Sequence, residues 1–381
     1  MPIYLLSALL HLYVGWRIVP ALVAWPVAQA LLAGVLVVST VLMPLGLMAR
    51  RSVKGPWADR LAWAGLLGMG LFSSLFVLTV LRDVALLLAV IAFAWRPAAL
   101  PVVALTTWTA VAVPVLALLA TALGYWNARR TAAVVRVDVP IAQLPAALHG
   151  FTVAQITDVH VGPTIKRGYL QAIVTRVNTL GADMVAITGD LVDGRVSELS
   201  AHVAPLAQLQ SRHGSYFVTG NHEYYSGAHA WMAELSRLGV RVLMNEHVVL
   251  SHTGTAGSAA LLVAGVADYS AHQFDPAHKS DPHAALRGAP AYARVRLLLA
   301  HQPRSAVAAA DAGYDLQLSG HTHGGQFWPW NHFVRLQQPF TAGLHKLKNL
   351  WVYTSRGTGY WGPPKRFGAP SEITLLRLVP A

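Results

Sequence analysis

The chain changes character near residue 130. Before that point apolar runs are long. After it, runs of four to seven apolar residues alternate with short polar clusters. Ile3 to Ala24 is largely apolar apart from His11 and Arg17, and Val27 to Met48 has only Gln29, Ser39 and Thr40 as polar side chains. Leu61 to Leu81 is a third run. Arg82 and Asp83 then interrupt, Val84 to Trp95 follows, and Pro101 to Trp126 closes the set. A helix crossing a bilayer needs about 20 apolar residues. The runs therefore predict four transmembrane helices, with Val84 to Trp95 as a short helix or a fifth span. A cleaved signal peptide fits the first run poorly, because no Lys or Arg precedes it and further spans follow. The Arg50, Arg51 pair lies too deep in the chain for a twin-arginine signal.

Beyond Arg136 the short runs predict strands at Phe151 to Ile156, Met184 to Ile187, Tyr216 to Val218, Val240 to Leu243, Val248 to Leu250, Ala260 to Val266, Val295 to Leu299, Leu316 to Leu318, Leu350 to Tyr353 and Ile373 to Leu378. Helical spacing appears at Tyr169 to Leu180, His229 to Leu238 and Ser305 to Ala312, and Leu206 to Gln210 reads as the end of another helix. Strand followed by helix, repeated, predicts an α/β fold with helices outside. The polar clusters follow the C-terminal ends of strands, the edge where ligands gather in such sheets. Gly189, Gly220 and Gly320 suit tight turns there. His272 to Ala289 reads as a polar surface loop.

Composition sharpens the division. The chain is 54% hydrophobic and only 12% charged, against about a quarter in soluble domains. Residues 1–130 hold nine Lys or Arg and two Asp or Glu, and residues 131–381 hold twenty and fifteen. This predicts a membrane region over 1–130 and one soluble domain over 131–381. The net charge of +12 does not imply nucleic acid, because no Lys/Arg run interleaved with aromatics occurs in the soluble part. No cysteine is present, which excludes disulfides and thiolate chemistry and leaves the compartment open. Loop charge sets orientation. Arg50, Arg51, Lys54 and Arg60 face only Asp59, so that loop is expected to be cytoplasmic. Four spans bring Arg129, Arg130 and Arg136 to the same side, which predicts an integral membrane protein with a cytoplasmic soluble domain. A fifth span would move that domain outside. Arg82 and Asp83 are expected near a helix end at the interface, with Arg17 snorkelling.

Five clusters carry the chemistry: Asp158 with His160, Gly189-Asp190 with Asp193, Gly220-Asn221-His222-Glu223, His301, and Gly320-His321 with His323. Asp, Asn and His are ligands for divalent ions, and imidazole with carboxylate suits Mn, Fe or Zn. Asp190 has two oxygens with which to bridge two ions. Two ions about 3.5–4 Å apart hold a hydroxide at neutral pH and clamp phosphoryl oxygens. His222, pointing away from the ligands on an extended chain, is the natural proton donor to a leaving oxygen. Asp193 is the expected carboxylate orienting its other nitrogen.

The set resembles the calcineurin-like metallophosphoesterase superfamily, whose pattern runs D-x-H, G-D-x-x-D, G-N-H-D/E, H, G-H-x-H. All five blocks occur in order from Asp158 to His323. The stretches Gly220 to Gly227, Leu299 to Pro303, Leu318 to Gln326, Ser355 to Gly359 and Ala369 to Ile373 are similar to its bacterial membrane-associated branch. The resemblance covers about Gly150 to Leu378. It implies a four-layer α/β/β/α sandwich and two divalent metal ions, one on Asp158, His160, Asp190 and His323, the other on Asp190, Asn221, His301 and His321. One departure is informative. Phosphoprotein phosphatases of this superfamily carry Arg directly after the second Asp of G-D-x-x-D, where this chain has Gly194. That argues against a phosphoprotein substrate.

The expected function is therefore a membrane-tethered phosphoesterase, phosphatase or phosphodiesterase, acting by a metal-bridging hydroxide on a lipid-linked or membrane-proximal ester. Its expected partners are that ester and the bilayer, with no nucleic acid and no obligate protein partner. The alternative is a non-catalytic membrane sensor or transport partner with a metal-stabilised binding lobe. The remaining histidines need no role: His149, His202, His213, His229 and His247 read as solvated, and His272, His278 and His283 share one loop. Trp328, Trp330, Phe333 and Phe340 read first as core. Their alternative is a substrate lip or a bilayer-resting patch, with Lys346, Lys348, Lys365 and Arg366 meeting headgroups.

Overall fold

The computed structural model describes residues 2–52, 55–95 and 102–381. They form two units, one of Met1–Arg129 with Gly362–Phe367, the other of Arg130–Trp361 with Gly368–Ala381.

In the first unit the apolar runs form helices α1 (Pro2–Ile18), α2 (Pro26–Ser52), α3 (Pro56–Trp95) and α4 (Val102–Arg129). All four are long and apolar enough to cross a membrane. They expose Leu5, Leu9, Leu12, Val37 and Leu88 on their outer faces, which suits a hydrocarbon solvent. Arg82 and Asp83 do not end a helix, contrary to the sequence expectation. The helix α3 runs through them, because their charges are satisfied inside the unit. Asp83 Oδ2 accepts from Arg17 Nε at 2.8 Å and from Tyr13 Oη at 2.7 Å. Arg82 donates to Thr109 Oγ1 and to the Thr106 carbonyl. Val84 to Trp95 is thus the end of α3 and no separate span.

Gly362–Phe367 belongs to this helical unit. Lys365 Nζ donates to Gly70 O at 2.8 Å, to Thr121 Oγ1 at 3.2 Å and to Ser74 Oγ. Arg366 N–H donates to Gly124 O. Both side chains are buried, which goes against the alternative reading in which they meet headgroups.

The second unit contains two six-stranded sheets. Its strands and helices are β1 (Ala133–Ile141), β2 (Thr152–Ile156), α5 (Arg167–Asn178), β3 (Met184–Thr188), α6 (Val196–Val203), β4 (Ser215–Val218), α7 (Asn221–Ser226), α8 (Ala228–Arg237), β5 (Arg241–Val242), β6 (Glu246–Gly254), β7 (Gly257–Gly265), β8 (Val295–Leu299), α9 (Ala306–Ala312), β9 (Leu316–Ser319), β10 (Gly343–Leu347), β11 (Leu350–Thr354) and β12 (Glu372–Pro380). The sheet orders are β1-β12-β2-β3-β4-β5 and β10-β11-β9-β8-β7-β6. Strands β2 to β5 run parallel, as do β7, β8, β9 and β11.

Alternation along the strands explains the layers. Val153, Met184, Ala186 and Val218 of one sheet meet Val263, Leu297, Leu299 and Leu318 of the other in a single core. The residues between them on the second sheet, Leu298 and Ala300, pack with Ala306 and Ala309 of α9. Helix α5 turns Leu170, Ile173, Val174 and Val177 inward, and α6 turns Leu199 and Val203. The result is the four-layer α/β/β/α sandwich. Strands β2, β3, β4, β8 and β9 each end within a few residues of a polar cluster.

Candidate metal centre

Each cluster occupies the turn after its strand. These turns are tight. Asp158, His160, Asp190, His321 and His323 have φ of 52°, 56°, 50°, 70° and 52°, left-handed conformations that cost an L-residue about 1–2 kcal/mol each. Gly220 and Gly320 have no positive φ. They are needed for close approach, since a Cβ on Gly220 would strike the Asp190 carboxylate and one on Gly320 the Asp158 carboxylate.

The side chains selected from the sequence meet in one place. Asp158, His160 and His323 bring donor atoms within 4.8 Å of one another, and so do Asp190, His301 and His321. Asp190 lies between the two sets, its Oδ2 3.1 Å from His301 Nε2 and 3.9 Å from His160 Nε2. His160 Nε2 is 3.0 Å from His323 Nε2, and His301 Nε2 is 3.2 Å from His321 Nδ1. Outer hydrogen bonds set the tautomers. His301 Nδ1–H donates to the Thr188 carbonyl at 2.7 Å, and His160 Nδ1–H to Asp193 Oδ1 at 3.1 Å. In both rings this leaves the Nε2 lone pair aimed inward. Asp158 is fixed by the His321 N–H at 2.9 Å and by the Thr157 hydroxyl at 2.7 Å.

These residues fit a pair of divalent cations. Asn221 Oδ1 is buried and has no hydrogen-bond partner among the described residues, and a buried carbonyl oxygen without a donor is costly. A cation beside Asp190 would satisfy it. The donor set, imidazole with carboxylate and one amide oxygen, is of the type that binds Mn, Fe or Zn.

His222 stands in a different relation to the cluster. Its Nδ1–H donates to Asp193 Oδ1 at 2.6 Å, and its Nε2 lies 3.9 Å from Asp190 Oδ2. The chain at this point is not extended as the sequence suggested. Asn221 and His222 open helix α7. His222 still reaches Asp193, because the first helical turn swings its ring over the Asp190 turn. Burial lowers the His222 pKa, but Asp190 and Asp193 outweigh it and raise the value to about 9. Burial opposes the Asp193 charge, yet His160 and His222 hold its carboxyl well below the usual range.

Glu223 was missed as a site residue. Its two carboxylate oxygens accept from the backbone N–H of Gly220, Asp190, Leu191 and Val192. It therefore ties the Asp190 turn to the Asn221 turn. Burial and the Asp190 charge push its pKa up to about 8, while the four N–H donors call for the ionised form. The available signal was a Glu three residues after Gly220, the spacing of a capping box.

Three of the four aromatics after His323 are not core. Trp328, Trp330 and Phe333 are exposed, on a segment that carries two short helical turns. Phe340 packs against the cluster around α9. Beside His222, Tyr225 and Trp361 present their rings at 5.2 and 5.6 Å between centroids, both exposed.

Residues 151–325 match the family model for calcineurin-like phosphoesterase. A Bos taurus transmembrane protein with metallophosphoesterase domain is 43% identical over 267 residues, covering 68% of this chain and 60% of that protein. An uncharacterized metallophosphoesterase of Helicobacter pylori J99 is 40% identical over 230 residues, 59% of each chain. An uncharacterized metallophosphoesterase of Aquifex aeolicus is 30% identical over 224 residues, 58% of this chain and 82% of that one. The chain spans about six tenths of the bovine and Helicobacter proteins. Vertebrate and bacterial relatives both occur, so the resemblance extends beyond a bacterial branch.

Proposed function

Because the chain belongs to the calcineurin-like phosphoesterase family, we propose that it is a membrane-anchored hydrolase of phosphate mono- or diesters. In this reading Asp158, His160, Asp190 and His323 hold one divalent ion, and Asp190, Asn221, His301 and His321 hold a second. When bound, two such ions supply an activated water and neutralise phosphoryl oxygens.

The observation that carries the reading is the setting of His222. One ring nitrogen is held by Asp193 at 2.6 Å, and the other faces Asp190 at 3.9 Å. With Nδ1 committed to Asp193, the ring can deliver a proton from Nε2 to a leaving alkoxide. Asp193 positions it, and Glu223 holds the two turns that carry it. A binding lobe without chemistry has no use for an oriented proton donor beside the ligand cluster.

The anchor favours a lipid-linked or other membrane-proximal ester, and the exposed rings of Tyr225 and Trp361 beside His222 offer such a substrate an apolar rim. The basic loop around Arg50 and Arg60 favours a cytoplasmic site in a bacterial inner membrane.

The test uses the full chain in detergent, because Gly362–Phe367 belongs to the helical unit and truncation at residue 131 would remove the partners of Lys365. Loaded with Mn, it should hydrolyse generic phosphomonoesters or phosphodiesters. Chelation should abolish the activity and added Mn restore it. His222→Ala should lower turnover roughly 10²-fold with metal content unchanged. A fully metallated chain inert on both ester classes would overturn the proposal. Loss of metal in His222→Ala would move that residue into the ligand shell.

A further inference from the structure

The α/β unit brings together a second set of metal-type side chains that shares no residue with the centre around Asp190. His229, near the start of α8, meets Asp275 and His278 from the short helical turn Pro276–His278. Their donor atoms all lie within 4.8 Å of one another. His229 Nε2 is 3.0 Å from Asp275 Oδ2, and His278 Nε2 is 3.8 Å from the same oxygen. We propose that His229, Asp275 and His278 form a separate divalent-metal site that takes zinc.

Three features point beyond a chance surface cluster. First, the other polar atom of each half-buried partner is already committed. Asp275 Oδ1 accepts from Ala277 N–H at 3.0 Å, which leaves Oδ2 for the imidazoles. His278 Nδ1 pairs with Tyr224 Oη at 2.9 Å, which leaves Nε2 turned toward Asp275. Outer hydrogen bonds of this kind orient ligand rings. Second, the ligands come from two chain segments 46 residues apart, so an ion there joins pieces that local structure does not. Third, two imidazoles and one carboxylate leave a fourth tetrahedral position open to water, a coordination that zinc accepts. His229 is exposed on the outer side, which gives both an entry path and room for that water.

The ion would have a structural effect on a nearby wall. Phe274, next to Asp275, stacks on Tyr224 at 5.7 Å and meets Tyr225 edge-on at 5.5 Å. Tyr225 in turn adjoins His222. Zinc between His229 and the Asp275 turn would clamp Phe274 against helix α7 and so hold the aromatic side of the candidate centre.

The experiment is a zinc count on the full chain. Wild type and His229→Ala, each saturated with zinc and freed of excess, are compared by elemental analysis. His229→Ala should hold one zinc fewer per chain, and His278→Gln the same one fewer. His229 is exposed, so without zinc its variant should melt as wild type does. Should His278→Gln misfold, His229→Ala alone still decides. The same deficit of one should appear when both chains also carry Asp190→Asn, so failure of the dinuclear reading leaves the measurement intact. A protease should cut within residues 268–290 several-fold faster in zinc-saturated His229→Ala than in wild type. Equal zinc in wild type and His229→Ala would overturn the proposal.

Discussion

The helical unit buries Arg82 among Asp83, Thr106 and Thr109, whereas the α/β unit gathers the buried Asp158, Asp190 and Glu223 and the half-buried Asp193 around five histidines. In the first case the charges end on built partners. Asp83 receives Arg17 and Tyr13, and Arg82 also reaches the Arg17 carbonyl. In the second, two imidazole pairs face each other at 3.0 and 3.2 Å and the Asn221 oxygen has no partner among the described residues. One cluster is complete as drawn from protein atoms. The other leaves that oxygen without a donor among the described residues. Burying charge is costly unless it is paired, so the first arrangement serves stability, and the second suits the pair of ions proposed above.

The sharpest way to break this contrast is Asp190→Asn. It should cut turnover by at least about 10²-fold, through lost transition-state stabilisation, and lower bound metal, read by steady-state kinetics and elemental analysis. Unchanged turnover would exclude the centre. The mirror experiment is Asp83→Asn. It leaves Arg17 and Arg82 short of a counter-charge and should destabilise the detergent-solubilised chain by about 1–3 kcal/mol, seen as a lower thermal midpoint. Metal content should not change, and a loss of metal here would dissolve the distinction.

The smallest effect concerns a histidine pair with no role in the centre. His213 Nε2 and His252 Nδ1 lie 3.1 Å apart. Burial lowers both pKa values; His252 and Arg212 lower that of His213 further, while Asp183 opposes the shift at both rings without reversing it. A lowered histidine pKa gives stability that is complete above the unfolded value of about 6.5 and is lost as pH falls below it. The thermal midpoint should therefore drop slightly between pH 7 and pH 5, and His252→Asn should flatten that slope. An identical slope in the variant would remove the pair from the account.

Much of this architecture was legible because the patterns are strong. Parallel strands buried on both faces read as apolar runs, and Val295–Leu299 and Met184–Thr188 are such strands. The edge strands were harder. In β1, Arg136 and Asp138 break the run, and Asp138 pairs with Arg377 of β12 across the sheet. β10 has no fully buried residue. Neither reads as a strand without its partner. The Arg82-Asp83 pair looked like an interruption because its relief comes from Tyr13 and Arg17, some 65 to 70 residues away. The stretch Leu206 to Gln210 read as a helix end. In fact α6 stops at Val203 and a tighter turn covers Ala204–Gln208, where Pro205 lacks the N–H a helix needs.

In the candidate centre, residue type and order carried the selection, since ligands must be Asp, Asn or His. What sequence could not give was the supporting frame. The Thr188 carbonyl behind His301 and the backbone amides gathered by Glu223 are contacts of the folded chain, and backbone groups leave no mark in a residue pattern. His229 and His278 read as unrelated, because their meeting depends on where a long loop returns.

The left-handed backbone at five candidate ligands has an evolutionary-engineering consequence. Glycine takes that conformation without steric cost, so glycine at His321, the least buried of the five, relieves strain, whereas at Asp158 it would strip the acceptor from the His321 N–H and cost more than the strain it removes. A heat-challenge selection that ignores catalysis should therefore enrich glycine at His321 and not at Asp158, hardening the chain at the expense of its site.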